Sequence, residues 1–351
     1  MVKPLICLDC AMAAITKTLS DTQSSGHLRA FDPARDLRQV ADLVELCFAD
    51  TLDQEGRSYL HHMRSAARNT RYLRWSGMLS QSGALPPYGF VWEEDNQIIG
   101  NLTLIPYPSL RHNYYLIANV AVHPIYRRHG IARSLTEAAI NYARRRGAQA
   151  AWLHVRPENT AALNLYRSLG FSERGSRTTW HSQPATGVNR VEQPRFTPVQ
   201  ENLMGIKIVP RRATDWQTQR HWLNQVYPPH IAWQLPLQMQ SLRPGVLGFL
   251  YRFINDLHLR HWSAVRDGRL IGVVTWQASL SYTDHLWLAV NPAVDETAVA
   301  PLLNHVRRCT SPRRVLSLEY PSDRARQDIQ SAGYVEHQTL VWMSLDLASG
   351  A

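Results

Sequence analysis

Residues 120–135 read VAVHPIYRRHGIARSL. Val120, Ala121 and Val122 close an apolar run that starts at Tyr115 and has the letters of a buried strand. Arg127, Arg128, His129 and Gly130 then form a basic turn. From Ile131 to Arg146 the apolar residues Ile131, Leu135, Ala138, Ala139 and Tyr142 recur at helical spacing. Three arginines, Arg144, Arg145 and Arg146, sit at the negative end of that helix, and Gly147 stops it. Strand, tight turn and helix in this order place unpaired N–H groups and the positive end of a dipole at Ile131, Ala132 and Arg133. Gly130 allows an unusual backbone conformation and close approach, and Ala132 is small. Such a turn can cradle a pyrophosphate. A basic turn that merely caps a helix has the same letters, so spacing alone leaves both readings open.

Further along, residues 153–171 read LHVRPENTAALNLYRSLGF. Ala150–Val155 reads as another buried strand and Asn159–Leu169 as a helix stopped by Gly170. Asn159 and Tyr166 are seven residues apart, nearly two turns, so in one helix they share a face. A tyrosine in an amphipathic helix is more often core than catalytic.

Together the two segments resemble motifs A and B of the GNAT superfamily of acyl-CoA N-acyltransferases. Arg127, Gly130 and Ala132 fill the first pattern, and Asn159, Leu165-Tyr166 and Gly170-Phe171 fill the second. The resemblance implies an α/β fold, a mixed sheet flanked by helices, with two central strands splayed to admit a thioester. It implies acetyl-CoA as the cofactor, held by the strand backbone at Val120, Ala121 and Val122 and by the turn from Arg127 through Arg128, His129, Gly130, Ile131 and Ala132 to Arg133. Asn159 then steadies the pantetheine arm, and Tyr166 protonates the departing thiolate. Direct attack by an amine also needs a base and a donor for the oxyanion. The strand Leu116–Val122 carries no carboxylate. His154, in "LHV", and Tyr115 are similar to a His and Tyr pair of N-terminal acetyltransferases, which makes them the candidate base. A packed strand histidine and a core tyrosine are the competing description. No metal is expected.

The same landmarks recur later in the chain. Leu270-Ile271-Gly272 matches Ile98-Ile99-Gly100, Ala289-Val290-Asn291-Pro292 matches Ala121-Val122-His123-Pro124, and Ala332-Gly333-Tyr334 matches Leu169-Gly170-Phe171. Four landmarks, counting the opening strand at Ile206–Pro210, imply one fold used twice in tandem. The expected organisation is an N-terminal extension over 1–25, a catalytic domain over 26–182, a Pro- and Gln-rich linker over 183–204, and a degenerate copy over 205–348. The second copy has Asp295, Ala298 and Ala300 where Arg127, Gly130 and Ala132 stand, and Ser322 and Ile329 for Asn159 and Tyr166. A carboxylate repels a pyrophosphate and isoleucine donates no proton. The second copy is therefore expected to lack a cofactor site, leaving acceptor shaping, homodimer formation or stabilisation as its roles.

Across 351 residues, 44% hydrophobic and 19% charged, there is enough apolar material for two cores and no signature of disorder. The balance of 38 Lys+Arg against 28 Asp+Glu, +10 in all, suits an anionic cofactor, nucleic acid or an acidic surface. Cys7 and Cys10 have C-x-x-C spacing without further ligands in range, and the four cysteines suggest no disulfide framework, consistent with a cytoplasmic protein. No segment reads as a signal peptide or a membrane span, so no membrane partner is expected, nor a nucleic acid. The acceptor is an amine, either a peptide α-amine or a small metabolite. A non-catalytic acetyl-CoA sensor is the alternative, against which the presence of Tyr166 counts.

Overall fold

A computed structural model describes residues 26–68, 88–108, 113–183, 205–291 and 296–348. The 1–25 extension, Cys7 and Cys10, Asp295 and all of the linker but Gln183 lie outside the described residues. The chain forms two compact units.

In the first unit the strands run in the order β1 (His27–Ala30), β2 (Tyr88–Glu94), β3 (Gln97–Pro108), β4 (Asn113–Val122) and β5 (Ala150–Val155). Neighbours are antiparallel except β4 and β5, which are parallel. Helices α1 (Pro33–Phe48) and α2 (Gln54–Ala67) cover one face, burying Leu37, Val40, Val44, Leu60 and Met63 against Val91, Ile98 and Ala121. Asp32 opens α1 by accepting from the N–H of Ala34 at 2.9 Å. Arg29 on β1 forks onto the buried Asp36 of α1 at 2.6 and 2.8 Å and also bonds Glu93 on β2. That network ties the edge strand to the helix layer, and Arg29 holds the Glu93 carboxyl below its ordinary range.

The opposite face carries α3 (Ile131–Arg145), with Ile131, Leu135, Ala139, Ile140 and Ala143 turned inward. Gly100 on β3 makes this seat: a Cβ there would lie 2.7 Å from Ile131 Cγ2 and 3.2 Å from Leu135 Cδ1. Asn113 closes the other end of the helix, donating to the carbonyls of Arg146 and Gly147 at 3.1 Å each. Helix α4 (Thr160–Ser168) follows β5.

The second unit repeats the plan. Its strands follow the order β12 (Tyr334–Asp346), β6 (Ser172–Ser182), β11 (Val315–Pro321), β10 (Thr283–Val290), β9 (Arg269–Gln277), β8 (Leu259–Arg266) and β7 (Ile206–Pro210). Its helices are α5 (Trp216–Val226), the single turn α6 (Pro229–Ala232), α7 (Val246–Ile254), α8 (Val299–Cys309) and the short α9 (Arg326–Ser331). Gly272 does for α8 what Gly100 does for α3, since a Cβ there would lie 3.0 Å from both Ala298 Cβ and Leu302 Cδ1.

The units do not divide the chain at one point. Residues 173–342 and 155–160 group as the second unit, and Met343 to the end groups with the first. Strand β6, which follows the first half in sequence, pairs antiparallel with β11 from Ser317↔His181 to Pro321↔Arg177. In the first unit the N–H of Leu347 bonds the carbonyl of Gln149 at 2.8 Å, so the last residues of the chain close that sheet beside β5. Strands β6 and β12, which carry Trp180 and Trp342, are long, at 11 and 13 residues.

Candidate active site

Strands β4 and β5 are held together only at their starts. The pairs run from Tyr114↔Ala150 to Ile117↔Leu153 and then stop, although β4 continues to Val122. The divergence begins where β4 carries a bulge: Thr103 faces Ala118 and Asn101 faces Ala121, so Asn119 and Val120 together oppose Leu102. Asn119 adopts the left-handed region, φ +50°, which asparagine tolerates better than its apolar neighbours. The buried Asn101 fixes the bulge by donating from Nδ2 to the carbonyl of Asn119 at 2.9 Å. The bulge thus interrupts the β3–β4 ladder at Asn119 and Val120, just past the last β4–β5 pair.

The β4 strand leads into the basic turn. Val122 presents its carbonyl to two donors, Arg127 Nε at 3.2 Å and Cys47 Sγ at 3.3 Å. Burial pushes the Cys47 thiol up, against the opposing pull of Arg127. The Arg127 side chain therefore braces the corner. Arg128 has φ +72° and Gly130 φ +80°. A Cβ on Gly130 would meet nothing within 4 Å, so the demand for glycine comes from the backbone angle and from whatever approaches the turn. Arg128, His129 and Gly130 are exposed, Ile131 is buried beneath them, and no side chain caps the start of α3. The first-turn N–H groups face outward beside three basic side chains, the arrangement that suits a phosphate-bearing ligand. Arg133 donates to Ser168 Oγ of α4 at 2.6 Å, linking the two helices that flank the opening.

Tyr166 lies in α4 with its ring edge-on to Phe171, centroids 5.9 Å apart. It is 6% exposed, and burial pushes its hydroxyl up to about 12. Asn159 is exposed and precedes the helix, its N–H bonding the carbonyl of Arg156 at 3.0 Å. Asn159 thus stands immediately ahead of α4, which starts at Thr160.

Tyr115 and His154 are not brought together. Tyr115 sits in the closed part of the β4–β5 pair, with its ring edge-on to Tyr142 of α3 at 6.2 Å. Burial first, and then the neighbouring Tyr142, pushes its hydroxyl up. By strand alternation its register partner Ala151 shares that α3 face, whereas His154 shares the other face with Trp152. His154 is the first residue of β5 beyond the paired region and is half-buried.

Asn119, Asn101 and Cys47 are site residues that motif reading passes over. Asn119 had a signal, being the one polar letter in the run 115–122. Asn101 and Cys47 had none, because their roles depend on strand pairing and on the packing of α1.

The second unit handles the corresponding place differently. Pairing of β10 with β11 also stops early, at Leu286↔Leu318. There the wholly buried Tyr227 enters, its hydroxyl donating to the carbonyl of Glu319 at 2.9 Å and accepting from the N–H of Leu288 at 3.5 Å. The gap between these strands is thus bridged by the protein's own side chain. Ala298, at the position of Gly130, is buried and right-handed, and Ile329 is buried.

Residues 48–171 match the family model described as Acetyltransferase (GNAT) family. The chain is 44% identical over 63 residues to a [Ribosomal protein bS18]-alanine N-acetyltransferase of Escherichia coli strain K12, covering 18% of this chain and 43% of that protein. It is 36% identical over 70 residues to the mycothiol acetyltransferase of Renibacterium salmoninarum, covering 20% and 21%. The chain thus spans less than half the length of these relatives. A GCN5-related N-acetyltransferase from Sphaerobacter thermophilus shares the fold at a TM-score of 0.56 and 15% identity, over 92% of this chain and 96% of that one.

Proposed function

We propose that the first unit, which holds most of the 48–171 match to the Acetyltransferase (GNAT) family model, is a GNAT-type, acetyl-CoA-dependent N-acetyltransferase whose acceptor is a primary amine, foremost a protein N-terminal α-amine. The observation that carries the proposal is the opening between β4 and β5 above the Asn119 bulge, which runs directly into the uncapped start of α3. Acetyl-CoA fits the residues present: the turn offers outward N–H groups, open space over Gly130 and Arg128, His129 and Arg133 beside it. When bound, it supplies the acetyl thioester.

The chain's own residues do the rest. Backbone N–H groups of the turn from Arg128 to Arg133 hold the pyrophosphate, and the strand edge from Val120 to Val122, which β5 leaves unpaired, aligns the arm. A backbone donor freed by the bulge meets the charge that grows on the carbonyl oxygen. Tyr166, kept protonated by its burial, gives its proton to the departing sulfur. His154 accepts the proton of the amine, directly or through water. Tyr115, engaged with Tyr142 on the other face and shifted further from neutrality, takes no part. The α-amine is favoured as acceptor because the Escherichia coli relative, whose identity to this chain is 44%, is named for acetylating a ribosomal-protein alanine. The second unit holds no acetyl-CoA, since Tyr227 fills the corresponding gap.

The test is calorimetry with acetyl-CoA, followed by thiol release on adding peptides that begin with alanine or serine and a panel of small amines. One acetyl-CoA per chain, loss of binding in Gly130→Glu, and thiol release with α-amine peptides are expected. Two equivalent sites, or unaltered binding in Gly130→Glu, would overturn the assignment of the site. Thiol release with small amines only would overturn the peptide acceptor.

A further inference from the structure

Helix α7 in the second unit is built inside out. Val246, Leu247, Phe249, Leu250, Phe253 and Ile254 are all exposed, from 49% at Leu250 to 80% at Val246. The residues turned inward are Gly248, Tyr251 and Arg252. Tyr251 donates to Gln238 Oε1 at 3.0 Å, and Arg252 donates to the carbonyls of Ser241 and Arg243 at 2.8 and 3.1 Å. A Cβ on Gly248 would lie 1.8 Å from the Arg243 carbonyl oxygen, so the helix backbone rests directly on the preceding loop. Glycine at this one position and polar anchors beside it hold the apolar face outward. Phe249 and Phe253 stack with centroids 6.3 Å apart, and at 62% and 74% exposure they alone leave on the order of 250 Å² of side chain in water. With the four aliphatic residues, the patch exceeds what a soluble monomer ordinarily shows.

A second apolar point stands at the same end of the unit. Leu280 is fully exposed in the turn after β9. The N–H of Ala278 in that turn bonds the carbonyl of His258, four residues past α7, at 3.0 Å. Arg314, ion-paired with Asp284, donates to the carbonyl of Ser279 at 2.8 Å and so braces this turn. Over residues 243–260 the exposed charges are Arg243 and Arg260 against one carboxylate, Asp256, since Arg252 is engaged with the loop carbonyls.

We infer that α7, with Leu280, docks the protein on an anionic phospholipid surface. At nine residues the helix is about 13.5 Å long, far too short to cross a bilayer, and no helix among the described residues is long and apolar enough to do so. It instead has the makeup of a helix lying in the interface, with aromatic and aliphatic residues outward and the exposed Arg243 and Arg260 on either side of it in sequence. Charge selects the occupant. Two copies of a chain with net charge +10, meeting at this face, would confront arginine with arginine, whereas anionic headgroups attract the same groups. A fluid bilayer also accepts protruding residues such as Leu280 and Phe253 without a matching pocket. The absence of a spanning segment in the sequence argued against a membrane partner only as regards crossing.

The experiment is cosedimentation of the full chain with vesicles of phosphatidylcholine, with and without phosphatidylglycerol. Binding to the phosphatidylglycerol vesicles that weakens as salt rises is expected. Phe249→Glu/Phe253→Glu should reduce it at least ~10-fold, and Leu280→Asp, on a separate element, should reduce it independently. These positions are on the surface, so a far-ultraviolet circular dichroism spectrum like that of the wild type confirms folding. No binding to phosphatidylglycerol vesicles, or equal binding by the double variant, overturns the inference. So does a dimer in sedimentation velocity that the double variant splits, which would assign the face to a second copy.

Discussion

Replacing Tyr166 with phenylalanine removes one oxygen and leaves the ring packed on Phe171. Burial pushes the hydroxyl from 10.0 up to about 12, worth about 2.7 kcal/mol in favour of the protonated form. The group therefore retains its proton at every ordinary assay pH and stays a donor. If it protonates the leaving thiolate, Tyr166→Phe should lower kcat by ~10²–10⁴, a barrier increase of about 3–5 kcal/mol, with the acetyl-CoA Kd unchanged. The sign with pH follows from the raised value. The stability it contributes is whole below pH 10, fades as the pH rises, and is lost above about 12, so the variant should be less sensitive to alkali. The assay is single-turnover and steady-state thiol release with an alanine-initiated peptide, beside calorimetry for acetyl-CoA and melts at rising pH. A variant that turns over at the wild-type rate would refute the reasoning, because solvent would then be protonating the thiolate. Equal losses of binding and turnover would also refute it, by assigning Tyr166 to the binding wall alone.

Three further outcomes can be checked with the same reagents. His154→Ala should remove the acidic limb of the pH–rate profile and cost more near neutrality than at high pH, where the amine sheds its own proton; a retained limb and rate would assign the step to water. Asn119→Gly should keep the bulge and activity, whereas Asn119→Val should destabilise the first unit by about 1–2 kcal/mol for its φ of +50° and reduce turnover; equal behaviour of the two variants in denaturant melts and rate assays would count against the bulge as a device of the site. Tyr227→Phe leaves the Leu288 N–H and the Glu319 carbonyl without its hydroxyl and should lower the stability of the second unit by about 1–3 kcal/mol in urea melts, with acetyl-CoA stoichiometry still one per chain.

Local chemistry made much of this protein readable from its letters. A glycine before a helix start, three arginines at a helix end and apolar residues at a period of 3.6 or 2 act within a few residues of themselves, so Gly130 at φ +80°, the inward stripe of α3 and the buried β5 follow from the chain alone. The repeat was legible for the same reason: Gly100 and Gly272 each seat a helix, and a seat of that kind leaves no choice of residue. The tertiary structure decided what depends on partners distant in sequence. Strand β6 pairs with β11 across 140 residues, and Leu347 closes on Gln149, because backbone N–H and C=O groups are the same at every residue and their pairing leaves no mark in the letters. The separation of Tyr115 from His154 came from register, since a shift of one residue in a strand reverses the face. Tyr227 between β10 and β11, and the outward apolar face of α7, were likewise hidden, because buried and exposed hydrophobic residues are spelled alike until the neighbours that cover them, or fail to, are in place.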